Sequence, residues 1–333
     1  MSSRFDELRI FTGNGNSQLA DEISKHLNIP MGDVTIKTFP NDNIFVRLNE
    51  SVREKDVFVI QSLGLPLSNN IMELLIMLDT CRRSSAGRVT AVIPYYAYGR
   101  TDKRDQPRVP ITARLLADMI QVAGAERVIT IDLHAGQIQG FFSIPVDELS
   151  AMTLLARNFA SRNWDDAVVV SPDLGFAKRA RNFAEQLGTP LAIVEKRRIQ
   201  QLDTDKSLSR VQALSLIGDV EGRRCILVDD EILTGGSMIE AADLLMARGA
   251  REVYAAVVHA VLAGNAVERL RNSAICELVT TDTLYRPETI SDWEGLRVLS
   301  VAQLLAEVIQ RIHSGISVGS IFMHRNLAWG KHS

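Results

Sequence analysis

The feature that most constrains the fold is a regular alternation of short β-branched runs with longer segments of helical period. The runs that read as buried strands are residues 57–61, 89–94, 128–132, 167–171, 225–229 and 253–258. Between them, apolar residues recur three and four positions apart, which predicts helices over residues 70–81, 111–122, 176–187 and 237–247. Strands that alternate with helices form a mainly parallel sheet covered by helices. The sequence therefore predicts an α/β protein.

The length of the chain predicts more than one domain. Its 333 residues exceed what a single hydrophobic core usually serves. The strand pattern of the first half ends near residues 145–150, where a new series of helices and strands begins. We therefore predict an N-terminal domain over residues 1–148, a second domain of similar element order over residues 149–300, and a C-terminal helix and tail over residues 301–333.

Composition excludes several classes of protein. Apolar residues make up 46% and charged residues 23% of the chain, which is typical of a globular rather than a disordered protein. A net charge of −3 argues against a nucleic-acid partner. The N-terminus lacks the apolar core of a signal peptide, and no apolar run approaches the roughly 18 residues of a membrane span. We expect a cytoplasmic protein whose cysteines, Cys81, Cys225 and Cys276, are buried thiols rather than disulfides.

The most informative local sequence is residues 228–237, VDDEILTGGS, which follows a predicted strand and opens a predicted helix. Two adjacent acids at a strand end are able to accept hydrogen bonds from two sugar hydroxyls. The free N–H groups at a helix N-terminus suit a phosphate. The alternative is a capped helix start with a glycine turn. Under the first interpretation, the residues that hold a ribose phosphate are Asp229, Asp230, Thr234, Gly235, Gly236 and Ser237.

The ends of two further predicted strands carry side chains of the kinds that bind metal ions. Asp132 and His134 are two positions apart and, on an extended segment, would face the same way toward one magnesium-nucleotide. Asp173 follows the strand at residues 167–171 and is placed to hold a second cation or reach the sugar. The alternatives are a structural histidine for His134 and a helix cap for Asp173.

Two basic segments are candidates for contact with a polyphosphate. Lys196, Arg197 and Arg198 precede a polar segment, residues 200–209, and cations carried by a loop would stabilise a transferring diphosphoryl group. Residues 100–108, RTDKRDQPR, interrupt two apolar segments and contain arginines suited to bidentate phosphate contact. Solvated surface loops are the alternative for both segments.

These pieces, in this order, resemble the ribose-phosphate diphosphokinases, also called phosphoribosyl-diphosphate synthetases. Residues 132–147, DLHAGQIQGFFSIPVD, are similar to the whole of that family's signature, and the resemblance covers nearly the entire chain. It implies two tandem phosphoribosyltransferase-like domains, a homo-oligomer, and Mg²⁺-dependent transfer of the β,γ-diphosphate of ATP to the C1 hydroxyl of ribose 5-phosphate.

The resemblance also implies roles for individual residues. His134 and Asp173, together with Asp132, would bind Mg²⁺. Lys196, Arg198 and His134 would be catalytic. The residues that would meet ATP are Phe39, Asn41, Asn43, Arg100, Thr101, Asp102, Lys103 and His134.

Some positions depart from the family pattern. Asn41 and Asn43 stand where the family usually has carboxylates that would touch adenine, and Leu233 stands where an aspartate is usual. Two other interpretations therefore stay open. One is a catalytically silent relative that regulates active synthetase subunits, and the other is a purine or pyrimidine phosphoribosyltransferase. An intact Lys196 and Asp173 favour an active diphosphokinase.

Overall fold

The structure is a computed structural model, and it describes residues 5, 7–202, 208–284, 290 and 292–319, without the side chains of residues 196–202 and 208–213. The chain divides into two compact units. Unit 1 comprises the described residues within Met1–Ala151, Asp282–Arg286 and Ser300–Ser333. Unit 2 comprises those within Met152–Thr281 and Pro287–Leu299.

The bounds of the secondary-structure elements are as follows. The strands are β1 Leu8–Thr12, β2 Val34–Thr38, β3 Ile44–Leu48, β4 Asp56–Ile60, β5 Arg88–Ile93, β6 Arg127–Ile131, β7 Val146–Leu149, β8 Ala167–Ser171, β9 Leu191–Leu202, β10 Leu208–Ile217, β11 Arg224–Ile232, β12 Glu252–Ala260, β13 Ile275–Thr281 and β14 Leu296–Leu299. The helices are α1 Ser17–Leu27, α2 Leu67–Arg83, α3 Thr112–Ala123, α4 Met152–Ala160, α5 Ala177–Leu187, α6 Gly236–Ala247, α7 Ala266–Arg271 and α8 Ala302–His313, with a 3₁₀ helix at Gly136–Phe141.

Unit 1 is built on a parallel sheet of five strands in the order β1-β4-β5-β6-β7. Alternate residues of β4 and β5, such as Val57, Val59 and Ala91, enter a core with α2 and α3 because side chains along a strand point to opposite faces. The antiparallel pair β2-β3 forms a separate two-stranded ribbon. Helix α8 packs against α1, so the last described helix belongs to unit 1.

Unit 2 contains a sheet of seven strands in the order β10-β9-β8-β11-β12-β13-β14. Strand β10 is antiparallel to β9, and the other neighbours are parallel. The chain passes from β8 through α5 to β9 on one side, and then returns to β11 on the other side of β8. The direction of strand addition therefore reverses between β8 and β11, and open α/β sheets bind ligands beyond the carboxyl ends of strands at such a point.

The α/β class predicted from the sequence is confirmed, but several predicted boundaries are wrong. The strand predicted over residues 225–229 continues to Ile232, and residues 200–202 and 208–209 of the polar segment lie in the strands β9 and β10. Backbone pairing with a neighbouring strand holds these polar residues extended, whatever their own strand propensity. Residues 203–207 lie outside the described part of the chain. No described helix combines the length and the hydropathy of a bilayer span.

Candidate active site

Two acids meet at the point where the order of the strands in unit 2 reverses. Asp173 lies just beyond β8, and Asp229 lies in the second half of the neighbouring strand β11. The two carboxylates are close enough for the charge of Asp173 to raise the pKa of Asp229. The sequence could not predict this proximity, because it depends on which strands are neighbours.

The surroundings of Asp229 favour the protonated form of its carboxyl group. Burial is the main cause that raises the pKa of Asp229 well above its usual range, and the charge of Asp230 and a hydrogen bond between the two side chains add to it. The backbone N–H of Asp230 also donates to Asp229 Oδ1 at 2.9 Å, which partly offsets the increase. The adjacent acids therefore form a pair that retains a proton more strongly than an isolated carboxylate does, and donors such as sugar hydroxyls would favour its ionised form.

The turn that follows these acids leads directly into a helix N-terminus. Gly235 has a left-handed φ of +76° and precedes α6, whose first residue is Gly236. A side chain at Gly235 would lie only 3.2 Å from Leu270, so glycine is required both by the backbone conformation and by the space. Thr234 and Ser237 are exposed on this turn, at the N-terminal end of the helix, where backbone N–H groups lack acceptors within the helix. The turn and the helix start lie where the sequence predicted a phosphate cradle, and the binding of a phosphate there stays a prediction.

A neighbouring loop fixes the backbone of the turn. The N–H groups of Val261 and Ala263 donate to the carbonyls of Ile232 and Leu233 at 2.9 and 2.8 Å. The side chain of Leu233 is 41% exposed, so an apolar group faces solvent where the family usually has an aspartate. Leu233 is therefore not a core residue, and its replacement of an acid changes the charge of the turn rather than its packing.

Arg269 is a residue of this region that the sequence did not single out. It lies on α7, and its Nη1 donates to the carbonyl oxygen of Thr234 at 3.2 Å. The two residues are 35 positions apart, so no local pattern indicated the contact.

Asp173 combines a capping contact with exposure to solvent. Its Oδ1 accepts a hydrogen bond from the N–H of Phe176 at 2.9 Å, just before α5, and its carbonyl accepts one from Ser171 Oγ at 2.7 Å. Asp173 therefore stabilises the turn that leads into α5, which is close to the helix-cap role considered as its alternative. The carboxylate is nevertheless exposed, so capping does not prevent it from also meeting a ligand.

In unit 1, Asp132 and His134 do not face the same way, and that prediction is wrong. The backbone leaves the extended conformation at Asp132, which has a φ of +38° directly after β6. The buried Asp132 carboxylate accepts from Ser150 Oγ at 2.8 Å and from the N–H of Ala151 at 2.6 Å, whereas His134 is exposed. Asp132 thus stabilises the loop after β7, and these contacts favour a structural role over metal ligation.

The four residues predicted to meet ATP at the start of the basic segment, residues 100–103, differ in their exposure to solvent. Arg100 and Lys103 are exposed, whereas Asp102 is buried and accepts a hydrogen bond from the side chain of Gln137. Thr101 Oγ1 donates to the Tyr98 carbonyl at 2.7 Å, which stabilises the turn. Of the four residues at positions 100–103, Arg100 and Lys103 are therefore the exposed cations that a polyphosphate would contact.

This segment also approaches His134. A Cβ at Gly99, the residue before Arg100, would lie 3.0 Å from the Cβ of His134. The structure therefore brings His134 and the start of the basic segment together.

The residues predicted to contact the base lie at the tip of the β2-β3 ribbon. Phe39, Asn41 and Asn43 form its turn, in which the Phe39 N–H donates to the Asn43 carbonyl at 2.8 Å. Phe39 is half exposed and packs against Phe45, with 6.0 Å between ring centroids. An exposed aromatic ring beside two amides is able to stack on a base and to bond its edge.

Lys196 and Arg198 lie on β9, opposite Leu214 and Gln212 of β10. The two residues are two positions apart on the strand. Their side chains lie outside the described part of the structure, and their predicted catalytic roles stay predictions.

No three side chains of His, Cys, Asp or Glu converge on a metal-binding point in the described part of the chain. Mg²⁺ in phosphoryl-transfer sites is typically held by one or two carboxylates together with phosphate oxygens and water. Dispersed acids such as Asp173 are consistent with that mode and not with a cage built from protein ligands alone.

Comparison with known proteins identifies the family. Residues 8–124 match the model of the N-terminal domain of ribose phosphate pyrophosphokinase, and residues 198–323 match that of a phosphoribosyl synthetase-associated domain. A ribose-phosphate pyrophosphokinase of Caldanaerobacter subterraneus is 50% identical over 97% of this chain and 100% of its own length. The chain belongs to the ribose-phosphate pyrophosphokinase family. The resemblance stated from the sequence motifs is confirmed, since this is another name for the diphosphokinases.

Two further relatives agree with this assignment. The ribose-phosphate pyrophosphokinase of Clostridium tetani is 47% identical over 95% of this chain and 97% of its own length. A crystal structure of phosphoribosylpyrophosphate synthetase from Mycobacterium smegmatis superposes with a TM-score of 0.86, at 42% identity, over 92% of this chain and 98% of that one.

Proposed function

We propose that this enzyme transfers the β,γ-diphosphate of ATP to the C1 hydroxyl of ribose 5-phosphate, giving phosphoribosyl diphosphate and AMP. The observation that carries the proposal is the identity of 50% over the full length of a relative named ribose-phosphate pyrophosphokinase. The structure adds a paired acid and a phosphate-type turn at the point where strand order reverses in unit 2.

The sugar phosphate would bind in unit 2. The Asp229 and Asp230 carboxyl groups would accept hydrogen bonds from two ribose hydroxyls, because charge-assisted bonds to hydroxyls are short and strong. The 5-phosphate would sit against the N–H groups at the start of α6, with the hydroxyls of Thr234 and Ser237 as further donors. This arrangement would hold the sugar at both ends and orient its C1 hydroxyl.

The phosphates of ATP would meet the basic residues. Arg100 and Lys103 are exposed in unit 1, and Lys196 and Arg198 lie on β9 of unit 2. As the C1 oxygen bonds to the β-phosphorus, the bond from that phosphorus to the α–β bridging oxygen breaks. The hydroxyl proton is released and AMP leaves. Cations would stabilise the charge on the equatorial oxygens during this transfer.

Mg²⁺ is the cofactor we propose, with Asp173 and His134 as the residues of this chain that would hold it. When bound, the ion would neutralise charge on the phosphate oxygens. Asp132 was also predicted as a ligand, and its hydrogen bonds to Ser150 and Ala151 make it the weakest of the three. The homo-oligomer implied by the family resemblance likewise stays a prediction.

The silent-subunit and salvage-transferase interpretations are not favoured. The relatives that match almost the whole chain are named ribose-phosphate pyrophosphokinase or phosphoribosylpyrophosphate synthetase, and the matches extend over both halves of the chain. Leu233 would then change sugar affinity rather than abolish catalysis, since the backbone of its turn is still fixed by Ala263.

The test is to mix the purified protein with magnesium, ATP and ribose 5-phosphate and follow phosphorus NMR. We expect phosphoribosyl diphosphate and AMP in equal amounts. Repeating the reaction with other nucleoside triphosphates would show whether Asn41 and Asn43 have changed the base preference. Absence of phosphoribosyl diphosphate and of the matching nucleoside monophosphate with every nucleotide, from a folded sample, would refute the proposal.

Lys196→Ala tests the catalytic assignment. We expect kcat to fall by a factor on the order of 100, which corresponds to about 3 kcal/mol of transition-state stabilisation. Lys25→Ala is the control, because Lys25 is an exposed lysine of α1 that pairs only with Glu22 among the described residues. Equal rates for both variants would remove Lys196 from the mechanism.

A further inference from the structure

We infer that Arg269 is a binding residue for the 5-phosphate of the sugar, and that it makes this enzyme select a phosphorylated over an unphosphorylated pentose. The inference rests on the proposed function and concerns the same turn in unit 2. It adds a side-chain cation to a cradle that the sequence predicted from backbone N–H groups and hydroxyls alone.

The first observation is the space beside Gly236. The three atoms nearest to the position of a Cβ at Gly236 are Arg269 Nη2 at 3.6 Å, Thr234 Oγ1 at 3.9 Å and Arg269 Nη1 at 4.0 Å. All three are able to donate hydrogen bonds. Because Gly236 has no side chain, this space is open, and it lies at the first residue of α6, where the backbone N–H groups lack acceptors within the helix. Donors from two different elements therefore border one small space.

The second observation is that packing fixes the position of Arg269. Its neighbour Leu270 is fully buried and would lie 3.2 Å from a Cβ at Gly235. The Nη1 of Arg269 donates to the Thr234 carbonyl at 3.2 Å. The short helix α7 is therefore anchored on the turn before α6, and the guanidinium is oriented by a contact with the turn itself.

The third observation concerns charge. Within the described part of the chain, no carboxylate lies within 4.0 Å of the Arg269 guanidinium, and its one hydrogen bond goes to the Thr234 carbonyl. A guanidinium has five N–H donors in a planar fork that matches phosphate geometry. Leu233, one residue before Thr234, supplies no negative charge where the family usually has an aspartate. The positive charge at the turn is thus available to a dianionic ligand.

The neighbouring Arg271 provides a matched control. It lies two positions further along the same helix, but its Nη2 donates to Asp292 at 2.5 Å, so its charge is already paired. Arg269→Ala and Arg271→Ala remove the same side-chain atoms from α7. Only the loss of Arg269 removes a cation from the turn before α6.

The experiment measures KM for ribose 5-phosphate, KM for ATP and kcat in the wild type and in Arg269→Ala, Arg269→Lys and Arg271→Ala. We expect Arg269→Ala to raise KM for ribose 5-phosphate about 10- to 100-fold, the range for a lost hydrogen bond to a charged group. We expect KM for ATP and the saturated kcat to stay within about twofold of the wild type, and Arg269→Lys to recover part of the affinity because it restores the charge. Arg271→Ala should behave as the wild type.

An unchanged KM for ribose 5-phosphate in Arg269→Ala would overturn the inference while leaving the proposed function intact. So would equal increases in both KM values, because these would indicate a general disturbance of the fold. If the wild type makes no product, titration calorimetry with ribose 5-phosphate alone separates the two questions. Weaker binding by Arg269→Ala than by Arg271→Ala would still support the phosphate contact, and equal binding would refute it.

Discussion

Asp56 is the residue of unit 1 whose removal we expect to destabilise the protein most clearly. Its fully buried carboxylate accepts from Arg88 Nε at 2.8 Å and Nη2 at 2.5 Å, and it lies 3.0 Å from His313 Nδ1. Asp56 and Arg88 are register partners at the starts of β4 and β5, and His313 ends α8. One carboxylate therefore joins two strands to the last described helix.

The magnitude follows from the burial of the three groups. Asp56→Ala would leave the Arg88 guanidinium, whose side chain is only 20% exposed, without its ionic partner. Breaking a buried ion pair by removing one partner typically lowers the free energy of unfolding by about 3 to 5 kcal/mol. A loss of that size would lower Tm by about 10 °C in a unit of this size.

The assay is urea and thermal unfolding followed by circular dichroism, with Asp79→Ala as the control. Asp79 also accepts from two arginines, Arg82 and Arg83, but this cluster lies on the exposed face of α2. Surface pairs of this kind contribute about 0.3 to 1 kcal/mol. If Asp56→Ala lowers stability by no more than Asp79→Ala does, the reasoning from burial is wrong.

Three other predictions concern the turn in unit 2 and the thiols. Because burial and neighbouring acids raise the pKa of Asp229, its ionised form destabilises the ligand-free protein at neutral pH. Asp229→Asn should therefore raise the Tm of the ligand-free protein and lower product formation. The difference in Tm between the variant and the wild type should narrow as the pH falls, because the wild-type acid becomes protonated. A lower Tm for the variant at neutral pH would contradict this reasoning. Gly235→Ala should lower the free energy of unfolding by about 1 to 2 kcal/mol, measured in urea, because alanine is strained at a φ of +76°. A thiol titration should find that exposed Cys276 reacts in the native protein, whereas Cys81 and Cys225, whose thiol pKa burial raises to about 12, react only after unfolding.

The sequence predicted the α/β class because hydrophobic periodicity reports directly on strands and helices that are buried. It missed the β2-β3 ribbon, whose residues are half exposed, and it also missed the largely buried strands β1 and β13. It also expected three buried cysteines, and Cys276 is exposed. Periodicity reports the average environment of a segment, so the orientation of one residue at the edge of a strand is not determined by it.

The family and the chemistry of the turn before α6 were also determined by the sequence alone. Long contiguous matches such as residues 132–147 are specific, and the turn requires Gly235 in a left-handed conformation whatever surrounds it. These are local properties, carried by residues adjacent in the chain.

Only the tertiary structure decided which distant residues act together. The proximity of Asp173 to Asp229 depends on the order of strands in the sheet, and the contact of Arg269 with Thr234 depends on the packing of α7. The orientation of Asp132 away from His134 depends on a left-handed residue and on donors from the loop after β7. These features arise from packing between segments far apart in the chain, and a sequence read by local pattern carries no direct signal of such contacts.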